Sequence, residues 1–228
     1  SVNIPEAKEA IMTKDKKILS SSLKTFDKEH AKKLAESMCT TIPKMQANKD
    51  FKGIAKGPFT YKKIAELYDP KVEDLNEEFI DYVKQSLDTA NRKTKRSSGT
   101  CEKTLGESYL LTSENVEAHE KGSGLYFSIR SFVDKESSGY GSCVSRMKNK
   151  FKFLEATEHA SKIAHMAKGK KTSISGNFDV LLAPHAIAAI IDRFAENASI
   201  FSVESGLSCL KNQLGKKLAN TQVTLYDD

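Results

Sequence analysis

The segment Gly124-Leu-Tyr-Phe-Ser-Ile-Arg-Ser-Phe-Val133 alternates apolar and polar side chains over most of its length. Leu125, Phe127 and Ile129 would lie on one side of an extended chain, and the residues between them on the other. This period of two is typical of a β-strand with one well buried face. The segment therefore predicts a strand, and it indicates that this part of the protein is built around a sheet.

Shorter strand-like pieces surround this segment. The pattern predicts strands over residues 100–105, 108–112 and 116–121, each followed by a short turn rich in glycine or serine, and a further piece around 143–147. Strands separated by so few residues have room only for tight turns, which favours an antiparallel meander.

Helical periodicity appears on both sides of the predicted meander. Asp74 and Glu77 have the spacing of a capping box, and a stripe at helical spacing follows them: Leu75, Phe79, Ile80, Val83, Leu87 and Ala90. Shorter helices are predicted after Asp27, after Phe153, after Pro184 and within 202–218, with strands at 177–183 and 222–226. The order of elements predicts an α+β fold, an antiparallel β meander packed against amphipathic helices.

The chain has 228 residues, and its pattern suggests two parts. Residues 1–73 are predicted to form a lead-in with one short helix and a long loop, and residues 74–228 an α+β domain. The longest apolar stretch, 180–191, is too short to cross a bilayer and is interrupted by Pro184 and His185. No secretory signal is recognisable at the N-terminus, so we expect a cytoplasmic protein without a membrane span.

The cysteines occur singly in the sequence. Cys39, Cys101, Cys143 and Cys209 form no CxxC or CxxH pair, the spacing that zinc knuckles and redox dithiols require. We therefore predict free, buried thiols that behave as small apolar side chains.

The net charge of +6 is concentrated in the first hundred residues, and its densest run is Arg92-Lys93-Thr94-Lys95-Arg96. Basic runs can follow a phosphate backbone. No aromatic residue is interleaved with this run to stack on bases, so nucleic acid is not expected as a partner there.

Three short motifs resemble functional sites but are incomplete. Glu158-His159 resembles an inverted zinc motif without its first histidine. Gly139-Tyr-Gly141 begins like a dinucleotide-binding loop but has Val144 where the third glycine is required. The stretch 169–172 lacks the first glycine of a phosphate-binding loop. From the residues alone, no catalytic, cofactor-binding or metal-ligating residue is assigned.

Several ordered segments between residues 60 and 228 nevertheless resemble those of the TldD/PmbA family, once called modulators of DNA gyrase. The first is Tyr68-Asp-Pro-Lys-Val-Glu-Asp-Leu75, which resembles the family's entry into its long helix. The others are Tyr109-Leu-Leu-Thr-Ser-Glu-Asn-Val116, Gly176-Asn-Phe-Asp-Val-Leu-Leu-Ala-Pro184, residues 199–208, Leu214-Gly-Lys216 and Val223-Thr-Leu-Tyr-Asp-Asp228.

The resemblance implies an intracellular metallopeptidase built from paired TldD and TldE (PmbA) subunits that degrade or process peptides in an enclosed cavity. In the catalytic subunit, a His-Glu-x-x-x-His motif lies on the helix that follows the strand seen here at 177–183. This chain has Asp192, Arg193 and Asn197 at the three positions. The resemblance thus implies a PmbA/TldE-like, non-catalytic subunit with no metal of its own, zinc entering only in the full-length complex.

The family's chains are longer than this one. We therefore expect a fragment, with a truncated N-terminal α/β domain and without the C-terminal β-rich domain. The implied partner is a TldD-like catalytic subunit or a second copy of the chain, with a peptide as substrate. Two alternatives stay open: a self-sufficient metallopeptidase with metal ligands beyond residue 228, and a gyrase-associated or nucleic-acid-binding module that uses residues 92–96.

Overall fold

The structure is a computed structural model that describes residues 9–23, 27–169, 171 and 174–226. The chain divides into two compact units, Ser1–Lys170 and Lys171–Asp228. The boundary expected between residues 73 and 74 stays a prediction.

The first unit contains most of the regular structure, in the order β1 (Glu9–Lys14), β2 (Lys17–Ser22), α1 (Lys28–Thr41), a 3₁₀ turn (Ile42–Lys44), α2 (Pro70–Glu73), α3 (Glu77–Asn91), β3 (Arg96–Leu111), β4 (Glu117–Phe132), β5 (Ser138–Ser145), a 3₁₀ turn (Lys148–Lys150) and α4 (Phe153–Met166). The second unit contains α5 (Pro184–Ala198) and α6 (Ile200–Glu204). The predicted α+β class is confirmed.

Strands β3, β4 and β5 form an antiparallel meander in that order. The strands predicted at 100–105 and 108–112 are one continuous strand, and so are those predicted at 116–121 and 124–133. Gly106 lies directly opposite Gly122 in the β3–β4 ladder. The glycines interpreted as breaks are therefore held in extended conformation by hydrogen bonds to the partner strand.

The core lies on one face of this meander, against α3 and α4. Leu125, Phe127 and Ile129 of β4 are buried, as the alternating pattern predicted. The ring of Tyr82 from α3 stacks on Phe153 at the start of α4, with centroids 4.5 Å apart. Aromatic contacts of this kind fix how the two helices lie on the sheet.

Helix α3 buries only part of the predicted stripe: Ala90 is buried and Phe79 packs against the core, as does Leu75 just before the helix. Its buried residues are Tyr82, Ser86 and Ala90, whereas Ile80 is 58% exposed. The predicted capping box is also absent, because α3 begins at Glu77 and its N-cap, Asn76, makes no side-chain capping bond. Tyr82 and Ser86, which the predicted stripe did not include, complete the buried side of α3.

Strand β5 approaches α4 unusually closely. A β-carbon placed on Gly139 would lie 2.1 Å from the carbonyl oxygen of Ala160, and one on Gly141 would lie 2.0 Å from that of Ala156. Both alanines are buried. The two glycines of the incomplete dinucleotide motif thus serve packing between strand and helix.

A buried carboxylate, Asp69, connects two distant loops. One of its oxygens accepts from the backbone N–H of Lys71 at 3.0 Å, and the other accepts from that of Lys148 at 2.9 Å. The N–H of Asp69 itself donates to Ser123 Oγ, which donates in turn to the carbonyl of Arg146. This network gives the Asp-Pro pair of the quoted 68–75 segment a structural role at the start of α2.

The hairpin of β1 and β2 was not predicted from the sequence. It turns through Asp15 and Lys16, which both have positive φ, 51° and 61°. Hairpin turns of this shape are recognised in sequence by Asn-Gly or Asp-Gly, and Asp-Lys gives no such signal. The predicted helix after Asp27 is confirmed as α1, with Asp27 Oδ1 accepting from the N–H groups of Glu29 and His30.

The second unit has fewer elements than the sequence predicted. Helix α5 begins at Pro184 as expected, but residues 177–183 and 222–226 form no strand. Helix α6 ends before Gly206, whose positive φ of 73° stops the helix predicted within 202–218. Among the helices that the structure describes, none is long and apolar enough to cross a bilayer.

The four cysteines are free thiols, as predicted, but only two are withdrawn from solvent. Cys101 and Cys143 lie on the outer strands on either side of Phe127, about 9.5 Å apart from strand spacing and so beyond disulfide reach. Burial raises the pKa of each of these thiols to about 11. Cys39 and Cys209 are exposed.

This difference predicts two classes of thiol reactivity. At pH 8 we expect a disulfide reagent to modify Cys39 and Cys209 more than about a hundredfold faster than Cys101 and Cys143, because only the thiolate reacts. Mass spectrometry of the labelled peptides over time measures the four rates. In guanidinium chloride, where the fold is lost, all four should react alike; the same uniformity in the folded protein would contradict the burial of the sheet cysteines.

Candidate functional site on helix α5

Helix α5 carries the three residues that stand at the positions of the family's metal motif. The Arg193 guanidinium donates from Nη1 to Glu196 Oε2 at 2.5 Å, one turn along the helix. Asn197 Nδ2 donates to the carbonyl of Arg193 at 2.9 Å. Both side chains are thus engaged within the last two turns of α5.

Asn197 also connects the end of α5 to the loop that follows α6. Its Oδ1 accepts from the backbone N–H of Cys209 at 3.4 Å, and its carbonyl accepts from Ser208 Oγ at 2.5 Å. Ser208 is buried. The amide of Asn197 therefore serves to fix the chain after the helix, which sequence reasoning did not reveal.

The chemistry of these side chains does not suit a catalytic metal. A guanidinium stays protonated and cannot act as a base, and Asp192 is left as the one carboxylate among the three. Among the described residues, no three His, Cys, Asp or Glu side chains come together as a metal site.

The apolar side of α5 is open to solvent. The sequence predicted that Ile187, Ile190, Ile191 and Phe194 would line its inner side, yet α5 has no buried residue, and Ile190 is 57% exposed. The exposed surface of the helix around Ala188, Ala189, Ile191, Asp192 and Ala195 is shallow and has no second wall among the residues that the structure describes. This surface is apolar apart from one carboxylate, which suits a protein or peptide surface better than a metal ion.

The basic run 92–96 connects α3 to β3. Thr94 in its middle is buried and donates from Oγ1 to the carbonyl of Ala90 at 2.9 Å. The guanidinium of Arg96 lies 4.4 Å from the centre of the Phe132 ring, and Lys93 Nζ lies 3.9 Å from Glu158 Oε1. Lys93 and Arg96 thus have partners on the surface of the fold, although all four basic side chains of the run are exposed.

The remaining sequence motifs do not assemble a site. Glu158 pairs with Lys93, and His165 Nε2 donates to the Lys93 carbonyl at 2.6 Å, so both anchor α4 to the end of α3. Of the stretch 169–172, Lys170 and Thr172 lie outside the described residues. That the chain contributes no catalytic or metal residue stays a prediction.

Sequence reasoning missed one cavity, which lies between the turn of the β1–β2 hairpin and residues 49–53. Its two walls are more than thirty residues apart in the sequence. No local motif could have joined them, although the density of lysine in both segments is visible in the sequence.

Comparison with known protein families gives one match. Residues 175–228 match the PmbA/TldA metallopeptidase C-terminal domain. The match includes all of α5 and α6, and hence Asp192, Arg193 and Asn197. It confirms the family resemblance inferred from the sequence over residues 175–228. No curated protein matches the chain.

Solved structures share the fold over most of this chain. A candidate modulator of a DNA gyrase from Thermotoga maritima superposes with a TM-score of 0.76 at 20% identity, over 91% of this chain and 48% of its own. A candidate modulator of DNA gyrase from Bacteroides thetaiotaomicron gives 0.78 at 18%, over 92% and 51%. TldE from Thermococcus kodakarensis gives 0.73 at 13%, over 91% and 48%. The chain thus spans about half the length of these proteins.

Proposed function

We propose that this chain is part of a PmbA/TldE-like, non-catalytic subunit of a TldD/TldE-type zinc metallopeptidase that degrades or processes peptides. The proposal rests on the identity and the hydrogen-bond partners of Arg193 and Asn197. The family resemblance places a metal-activating glutamate and a histidine ligand at these positions. Here an arginine is paired with Glu196, and an asparagine is hydrogen-bonded to Arg193 and Cys209.

The chemical argument concerns the water that a zinc peptidase must activate. Catalytic zinc is held by three protein ligands and leaves a fourth position for water, with a nearby base to take the proton. A guanidinium at the position of the base repels the metal and accepts no proton. We propose that another subunit holds the zinc and that this partner is a TldD-like chain.

The open apolar side of α5 supports a role in subunit contacts. Ile190, Ile191 and Phe194 are each at least 40% exposed. Apolar surface of this extent on consecutive helical turns is characteristic of a surface that packs against further polypeptide. A TldD-like chain is the occupant we propose, and self-association is the other form of subunit contact.

The proposal predicts that charge on this apolar side disrupts assembly while the Arg193 position tolerates change. In the full-length protein copurified with a TldD-like chain, Ile190→Asp should weaken association at least about tenfold, because burying an unpaired carboxylate is costly. Arg193→Ala should leave peptide cleavage by the complex unchanged. Size-exclusion chromatography with light scattering and cleavage of an unfolded peptide measure the two effects.

Gln222→Asp is the matched control for Ile190→Asp, since it introduces the same charge at an exposed position of the same unit. It should leave association unchanged. Loss of cleavage in the Arg193→Ala complex would contradict the non-catalytic role. A full-length protein that stays monomeric in the presence of the TldD-like chain would contradict the subunit role.

A further inference from the structure

The cavity at the β1–β2 turn is formed by two segments of the first unit. The backbone N–H of Asn48 donates to the carbonyl of Lys16 at 2.9 Å, which holds residues 49–53 beside the hairpin turn. The depression between them is open to solvent and has a volume of about 920 Å³. This volume is ample for a nucleotide-sized ligand.

Positive charge dominates the cavity lining. It includes Lys14, Lys16, Lys49 and Lys52, against Asp15 and Asp50. All four lysines are exposed, and among the described residues none of their ammonium groups is within ion-pair distance of a carboxylate. Four unpaired cations around one cavity repel each other, and a bound anion would relieve that repulsion.

The segment that contains residues 49–53 is rich in lysine beyond the cavity as well. Residues 44–63 contain six lysines and one acidic residue, Asp50. The rings of Phe59 and Tyr61 are 49% and 56% exposed and lie edge to face, with centroids 6.4 Å apart. Exposed rings interleaved with lysines are the feature that the run 92–96 lacks.

We propose that the β1–β2 turn and residues 49–63 form a binding surface for single-stranded nucleic acid. The lysine ammonium groups of the cavity would contact phosphates, and Phe51 in its lining would offer a ring for an unpaired base. Phe59 and Tyr61, further along the same segment, would offer two more rings. The rings favour nucleic acid over an acidic peptide, because every nucleotide carries an aromatic base that can stack on them whereas Asp and Glu side chains carry none. Lysine is a point charge without the planar fork that reads base edges, so binding should depend little on sequence.

The test is binding of a fluorescein-labelled 12-nucleotide single strand of mixed sequence to the 228-residue chain, followed by anisotropy at several salt concentrations. The variant replaces Lys14, Lys16, Lys49 and Lys52 together by glutamine. We expect affinity to fall at least about tenfold at low salt. The slope of log affinity against log salt should shrink by about 3, because each phosphate that a lysine neutralises adds about 0.7 to that slope.

The control variant replaces Arg92, Lys93, Lys95 and Arg96 by glutamine and so removes the same charge from the other basic run. It should weaken binding less than about twofold, and circular dichroism should show both variants folded. A Phe59→Ala/Tyr61→Ala variant should weaken binding of the strand without changing the salt slope, because stacking releases no counterions.

Three results would overturn the proposal. The first is no binding of the strand by the unmodified chain at low salt. The second is an equal loss in the two lysine and arginine variants, which would assign binding to net charge alone. The third is equal affinity for polyglutamate of the same length, which would identify a site for acidic peptides.

Discussion

Replacing Gly141 by alanine is expected to destabilise the first unit by about 3 kcal/mol or more, at the upper end of the cost of overpacking. The added β-carbon would lie 2.0 Å from the carbonyl oxygen of Ala156. A backbone atom cannot rotate away as the end of a long side chain can. Helix α4 would have to move off the sheet, and Ala156 and Ala160 would no longer pack against it.

Urea unfolding followed by circular dichroism measures this effect. Gly106→Ala is the matched control, since Gly106 lies in the same meander and has no atom within 4 Å of an added β-carbon. That variant should be neutral or slightly more stable, because alanine has less conformational freedom to lose on folding. Equal midpoints for the two variants would refute the close approach of β5 to α4.

The second large effect is expected at Asp69. Asp69→Ala removes the acceptor for two backbone N–H groups, those of Lys71 and Lys148. Hydrogen bonds to a charged group contribute about 1.5–3 kcal/mol each, and a donor left unpaired in a buried site adds its own cost. We expect a loss of about 3 kcal/mol of unfolding free energy.

Asp69→Asn tests whether the charge or the shape of the side chain is responsible for the loss of stability, because it removes the charge and keeps the volume. Its amide oxygen can keep one of the two bonds while its NH₂ group faces the other N–H, so the loss should be of similar size despite the conserved volume. Asp88→Ala, at an exposed position of α3, is the control and should change stability by less than about 0.5 kcal/mol. Urea midpoints near that of the unmodified chain for both Asp69 variants would contradict the network.

Sequence periodicity correctly predicted the central strand of the sheet, because β4 contributes several large apolar side chains to the core. In β4 the alternation is regular, and Leu125, Phe127 and Ile129 are all buried as predicted. The face of α3 was predicted only in part, because periodicity ranks large apolar residues first: Ala90 is buried as predicted, whereas Ile80 is exposed. The structure also buries Ser86, whose small side chain lets the elements come close.

Other features depend on residues far apart in the sequence. The Gly139-Tyr-Gly141 pattern had no assigned role until α4 was seen against it, since the reason for the glycines lies at Ala156 and Ala160. The lysine cavity needs the contact between Asn48 and Lys16 to exist at all. Patterns in a single sequence describe residues that are neighbours along the chain. They do not predict contacts between residues that are far apart in the sequence.

The candidate site was predicted better from resemblance than from pattern. Asp192, Arg193 and Asn197 drew attention only because a family motif belongs at their positions. The structure adds what no motif could give, namely that Arg193 is paired with Glu196 and that Asn197 holds the loop at Cys209. The residues that stand at the motif positions therefore have a structural role of their own.

The central claim is that this chain belongs to the non-catalytic half of a zinc peptidase. The measurement that tests it most directly is zinc content by elemental analysis of the full-length protein, purified alone and together with its TldD-like partner. We predict no stoichiometric zinc in the protein alone and one zinc per complex with the partner. Stoichiometric zinc in the isolated protein, with cleavage of unfolded peptides that a chelator stops, would contradict the claim and identify a self-sufficient metallopeptidase with ligands beyond residue 228.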